Sequence, residues 1–87
     1  MIYLDYAAST PVNNEVLNTF YNDTKKYFAN PNSSHKLGAI ANDVIDRSTL
    51  NIANNLGVLK EEIIYTSGAS ESNNLAIKGI CERYKNN

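Results

Sequence analysis

The chain has 87 residues, 43% hydrophobic and 20% charged, with a formal net charge of −1. That suits one small piece of an ordinary globular protein. It offers no concentrated basic surface for a nucleic-acid backbone and no run near the roughly 20 apolar residues that span a bilayer. The single cysteine, Cys81, excludes an internal disulfide and fits a reducing, cytoplasmic setting. The opening "MIYLDYAAS" has no basic leader region and an early Asp5, so it does not read as a secretory signal.

In chain order, "IYL" (Ile2, Tyr3, Leu4) is β-branched or aromatic and predicts a short strand. "DYAASTP" breaks it, with Asp5, Ser9 and Thr10 suited to bonding local backbone and Pro11 closing the turn. From Asn13 or Asn14 a helix is expected, because Val16, Leu17, Phe20, Tyr21, Thr24, Tyr27 and Phe28 recur at three- and four-residue steps. "ANPNSSH" ends it, since Pro31 disfavours the helical region at Asn30.

A longer helix is expected from near Ser34. Leu37, Ile40, Ala41, Val44, Ile45, Ser48, Ile52, Ala53 and Leu56 form its stripe for burial, and Gly57 is placed as the left-handed residue past its end. "EIIYT" (Glu62 to Thr66) predicts a strand buried on both faces, as in a parallel sheet. A last helix runs from about Ala69 to Tyr84. The predicted fold class is therefore α/β, with the order short strand, two helices, strand, helix. Two short strands make a poor sheet with unpaired edges, and the helical stripes carry more apolar surface than they could cover. The sequence thus predicts either helices packed on each other or cover supplied from elsewhere.

The junction between the second strand and the last helix is the place where chemistry is most legible. The first N–H groups of a helix lack intrahelical partners and carry the positive end of its dipole. Gly68 and Ala69 add little bulk there, and Ser67 and Ser70 add hydroxyls, which is the composition of a phosphate cradle. Neither a Walker loop nor a G-x-G-x-x-G pattern is present. The same residues also read as a plain cap, with Ser67 or Gly68 capping and Glu71 in the first turn. Asn73 and Asn74, modest helix formers, read either as ligand or loop contacts or as solvated first-turn residues.

His35, the one histidine, cannot build a metal site or a triad alone and reads as a loop or cap residue. Cys81 stands late in a helix, at the negative dipole end, and reads as structural rather than reactive. The six tyrosines show no regular interleaving with Lys or Arg and read as core and rim residues. No residue of the chain is a catalytic or metal-ligating candidate.

Three stretches, in order, resemble the N-terminal segment of the cysteine desulfurases, pyridoxal-phosphate enzymes of the class-V aminotransferase family. "YLDYAASTP" is similar to the family's YLDYAATTP, with Ser9 in place of threonine. "ANPNSSHKLG" is similar to GNPSSxHxxG, with Ala29 for glycine and Asn32 for serine. "EIIYTSGASESNNLAIKG" is similar to EIxFTSGATESNNLAIKG, with Tyr65 for phenylalanine and Ser70 for threonine. The likeness covers essentially all 87 residues.

The resemblance implies that residues 1–87 are a single partial domain, the N-terminal piece of the large α/β domain of a pyridoxal-phosphate-dependent transferase. It implies that Ala69 and Ser70 bind the phosphate of pyridoxal 5′-phosphate, and that Ala8, Asn30 and His35 lie near a site entrance. It implies a parent enzyme that takes L-cysteine to L-alanine. That enzyme would pass sulfur as a persulfide to an acceptor protein for iron–sulfur cluster or thiocofactor assembly, and act as a cytoplasmic homo-oligomer. Nothing matches the family's motifs for the Schiff-base lysine, the aspartate on the pyridine nitrogen, the histidine stacked on the ring or the nucleophilic cysteine; neither Lys78 nor Cys81 does. The chain alone is thus expected to be inactive. A departure stands at Thr49, where the family usually carries an arginine; Arg47 lies two residues earlier. The alternative expectation is a stand-alone remnant that self-associates or docks on a partner through its uncovered apolar faces.

Overall fold

The computed structural model describes residues 1–86. Three helices account for most of them: α1 (Asn14–Lys26), α2 (Lys36–Leu56) and α3 (Ala69–Tyr84). A single 3₁₀ turn, Lys60–Glu62, lies between the last two. The chain divides into two compact units, Met1–Ser48 and Thr49–Asn87, with the boundary inside α2.

In the first unit, the Asn13 side chain caps α1, its Oδ1 accepting from the Glu15 N–H at 2.8 Å and the Val16 N–H at 3.4 Å. Glu15 in the first turn and Lys25 and Lys26 in the last complement the helix dipole. The helix closes with the Tyr27 N–H donating to the Asp23 carbonyl. α2 begins two residues later than the Ser34 expected. Its cap is His35, whose Nδ1 accepts from the Gly38 N–H at 3.2 Å while its carbonyl accepts from the Ala39 N–H. Phe20, Thr24 and Tyr27 of α1 and Ala41, Val44 and Ile45 of α2 line a shared groove.

In the second unit, α2 ends in the motif expected of Gly57. That residue has φ +69°, the Val58 N–H donates to the Ala53 carbonyl, and the Gly57 N–H donates to the Asn54 carbonyl. This pair of bonds satisfies carbonyls that the end of a helix otherwise leaves open, and the left-handed backbone favours glycine. The 3₁₀ turn follows, with the Leu59 N–H donating to the Glu62 carboxylate at 2.7 Å. α3 occupies the span read from the sequence, Ala69–Tyr84.

Two expectations fail. No strand forms among the described residues: Ile2 to Leu4 are irregular, Glu62 belongs to the 3₁₀ turn, and residues 63–66 are irregular too. A strand is defined by the ladder that satisfies its backbone groups, and no second strand stands beside either segment. The two strands of the expected α/β order (strand, two helices, strand, helix) are therefore not formed, and the described residues hold its three helices alone. The N-terminal segment instead folds onto itself: the Tyr3 hydroxyl sits 3.0 Å from the Asp5 carbonyl oxygen and 2.9 Å from that of Ser9.

The burial expected along α2 is also missing for its large side chains. Ala41 and Ala53 are buried, yet Leu37, Ile40, Ile45, Ile52 and Leu56 are exposed. The stripe has the right period, but its large side chains are not covered among the described residues.

Candidate functional site

The turn from Tyr65 to Ser72 is built by side chains on both of its ends. Thr66 bridges it: the Ser72 and Thr66 hydroxyls lie 2.5 Å apart, and the Thr66 hydroxyl is 3.2 Å from the Gly68 carbonyl oxygen. One consistent proton order has Ser72 donating to Thr66 and Thr66 donating to Gly68, whose carbonyl also accepts from the Ser72 N–H. On the outside of the turn, the Ser67 hydroxyl donates to the Glu71 carboxylate at 2.9 Å.

Gly68 is the cap residue of α3 and makes no side-chain hydrogen bond to the helix. Ser67 is committed to Glu71 rather than to a backbone N–H, so the plain-cap reading fails for it. The first-turn N–H groups of α3 are thus left without a side-chain acceptor, at the positive end of a 16-residue helix. Gly68 is in extended backbone that any residue adopts, and a Cβ there would meet nothing of the chain within 4 Å. What its smallness preserves is the open approach to those N–H groups.

Ala69 and Ser70 follow directly as the first two residues of α3. The Ser70 carbonyl accepts from the Asn74 side-chain amide at 2.7 Å, an internal bond of the helix. Asn74 therefore serves its own helix rather than a neighbouring loop. Three serines surround the turn. Ser67 and Ser72 spend their hydroxyls on Glu71 and Thr66, whereas that of Ser70 bonds to no described residue. The roles of Thr66 and Ser72 escape sequence reasoning, because a hydroxyl pair six residues apart carries no periodic or motif signal.

The other sequence candidates lie in the first unit. Asn30 and His35 meet around Gly38: an added Cβ would stand 2.7 Å from the Asn30 carbonyl oxygen, and His35 takes the Gly38 N–H. Asn30 also accepts from the Asn32 N–H through its side chain at 2.9 Å. These bonds make both residues parts of a helix-start loop. Ala8 donates its N–H to the Asp5 carbonyl. Cys81 is exposed on α3. Among the described residues, no three His, Cys, Asp or Glu side chains cluster as a metal site would require, and no helix is long and apolar enough to cross a membrane.

The family model for aminotransferase class-V matches residues 2–87. The chain belongs to that family. It is similar to cysteine desulfurase IscS of Buchnera aphidicola subsp. Baizongia pistaciae, with 52% identity over 87 residues covering 97% of this chain and 22% of that protein. The IscS of Pseudoalteromonas translucida is 45% identical over 87 residues, with 97% and 22% covered. That of Dictyoglomus turgidum is 44% identical over 79 residues, with 91% and 20% covered. The chain spans about a fifth of the length of the curated relatives it matches. No solved structure matches it.

The α3 start fits the phosphate end of pyridoxal phosphate. Uncapped N–H groups, a small cap residue and the uncommitted Ser70 hydroxyl are donors suited to a dianion. Glu71, the acidic residue of the first turn, is of the wrong sign for an anion, and the Ser67 hydroxyl already binds its carboxylate.

Proposed function

We propose that residues 1–87 are one partial domain, the N-terminal segment of a cysteine desulfurase, and that the segment supplies one corner of the cofactor phosphate site. Ala69 would offer its backbone N–H and Ser70 its N–H and hydroxyl to the phosphate. The observation that carries this reading is the uncommitted Ser70 hydroxyl beside uncapped N–H groups at the start of α3; the resemblance implies the phosphate contact at the same two residues. When bound, pyridoxal phosphate supplies the electron sink that lets a cysteine C–S bond break. This chain contributes binding and orientation, and no residue of it takes a catalytic role. The parent enzyme would convert L-cysteine to L-alanine and hand sulfur, through an enzyme persulfide, to an acceptor protein serving iron–sulfur cluster or thiocofactor assembly. It would act as a cytoplasmic homo-oligomer with an α/β large domain, whose remainder covers the apolar side chains exposed here.

Two measurements test this. The 87-residue chain with pyridoxal phosphate and cysteine should release no sulfide above the cofactor-only background; sustained turnover sinks the proposal of inactivity. In the full-length enzyme, Ser70→Ala should weaken cofactor retention, and unchanged retention removes Ser70 from the site.

The exposed apolar surface also supports a second reading, a stand-alone module that self-associates or docks on a partner. Val16, Leu17, Phe20 and Phe28 in the first unit and Leu75, Ile77 and Ile80 in the second are all at least half exposed. The two readings part on one comparison. A segment of a larger enzyme becomes protease-resistant only with its C-terminal remainder, whereas a module is resistant alone as a defined oligomer.

A further inference from the structure

Thr49 is the one buried polar side chain among the described residues, at 7% exposure. Its Oγ1 lies 2.6 Å from the Tyr65 Oη. Tyr65 itself is 58% exposed, so hydrophobic burial does not explain where its ring goes. Residues 63–66 have no ladder partner to hold them. Two consecutive side chains do this instead. Tyr65 reaches back to α2 through Thr49, and Thr66 reaches forward to Ser72 on α3. The two neighbours thus grip different helices, Tyr65 through Thr49 and Thr66 through Ser72.

We propose that the Thr49–Tyr65 hydroxyl pair is a positioning clamp that sets the Ser67–Ser70 turn, and hence the α3 N–H groups, in the place a phosphate needs. Without the clamp, Thr66 still fastens the turn to α3, but the turn and α3 are no longer registered against α2. The two residues touch no ligand and act through the turn. This inference rests on the reading of that turn as a phosphate corner.

The test is a double-mutant cycle of Thr49→Val and Tyr65→Phe in the protein as the cell makes it, with Thr49→Ser as the conservative variant. Two readouts are taken: amide hydrogen exchange across residues 66–71, and the dissociation constant and ³¹P shift of added pyridoxal phosphate. One hydrogen bond of ordinary strength corresponds to about threefold to tenfold. Each single variant should speed exchange across the turn by about that factor, weaken pyridoxal phosphate to a similar extent and move its ³¹P shift. The double variant should be no worse than either single one, and Thr49→Ser should restore wild-type values. A purely structural bond would lower thermal stability and leave the ³¹P shift alone, and that result overturns the proposal, as does unchanged exchange in Tyr65→Phe. Failure of wild-type protein to bind pyridoxal phosphate overturns the phosphate-corner reading instead, and the exchange data then still decide whether the clamp exists.

Discussion

A methyl group on Gly38 would stand 2.6 Å from the carbonyl oxygen of Ser33. The contact comes from the loop "ANPNSSH" folding back over the first turn of α2, where the Ser33 N–H donates to the Asn30 carbonyl at 3.0 Å. The two nearest atoms, the Ser33 and Asn30 carbonyl oxygens, are backbone and cannot swing aside as a side-chain end could. Gly38→Ala should therefore destabilise the first unit by about 1–3 kcal/mol, the range for an overpacked site. Urea denaturation of the full chain followed by far-ultraviolet circular dichroism checks this. A stability within about 0.5 kcal/mol of wild type, the ordinary scatter of surface changes, would show that the loop moves freely off the helix.

His35 accepts the N–H of the same Gly38 through Nδ1. His35→Ala leaves the Gly38 N–H without this partner and should cost about 0.5–2 kcal/mol, as other caps do. His35→Asn, which also presents a side-chain acceptor, should recover most of the loss. Equal destabilisation by both variants would mean that the ring contributes packing rather than its nitrogen.

Gly57 should behave differently, because its constraint is conformational. Its φ is +69° and nothing lies within 4 Å of an added Cβ. Gly57→Ala should cost about 1 kcal/mol and Gly57→Asn less, since asparagine tolerates the left-handed region better. The ranking is read from the midpoints of thermal unfolding, and an alanine variant as stable as wild type would contradict it.

The serines of the turn separate binding from architecture. Ser70→Ala should lower pyridoxal phosphate affinity by about tenfold, the worth of one hydrogen bond to a charged group, with little change in stability. Ser72→Ala removes the partner of Thr66 and should lower stability by about 0.5–1.5 kcal/mol. Ser67→Ala frees the Glu71 carboxylate beside the helix start and should weaken the anion modestly through unscreened charge. Fluorescence titration with pyridoxal phosphate, paired with thermal unfolding, distinguishes the three. An unchanged affinity in Ser70→Ala alongside a lost affinity in Ser72→Ala would move the contact to the other hydroxyl.

Much was legible before any fold was known, and for local reasons. A helix start at Asn13 or Asn14, the three-and-four spacing of α1 and α2, Gly57 past a helix end and the span Ala69–Tyr84 depend on neighbours within a few residues. Short-range preferences of this kind are written into the chain itself. The composition of a phosphate cradle at Ser67, Gly68, Ala69 and Ser70 was legible for the same reason. Strands at Ile2–Leu4 and Glu62–Thr66 were not decidable this way, because a strand exists only in company with another.

Only the tertiary structure decided which hydroxyl is spent and which is free. Thr49 with Tyr65 and Thr66 with Ser72 are pairings across 16 and 6 residues that no periodicity announces, and they leave Ser70 uncommitted. Nor could the stripe of α2 predict that Ala41 and Ala53 would be buried while Ile40 and Ile52 are not. Periodicity says which residues share a face; whether that face is covered depends on surface brought against it from elsewhere in space.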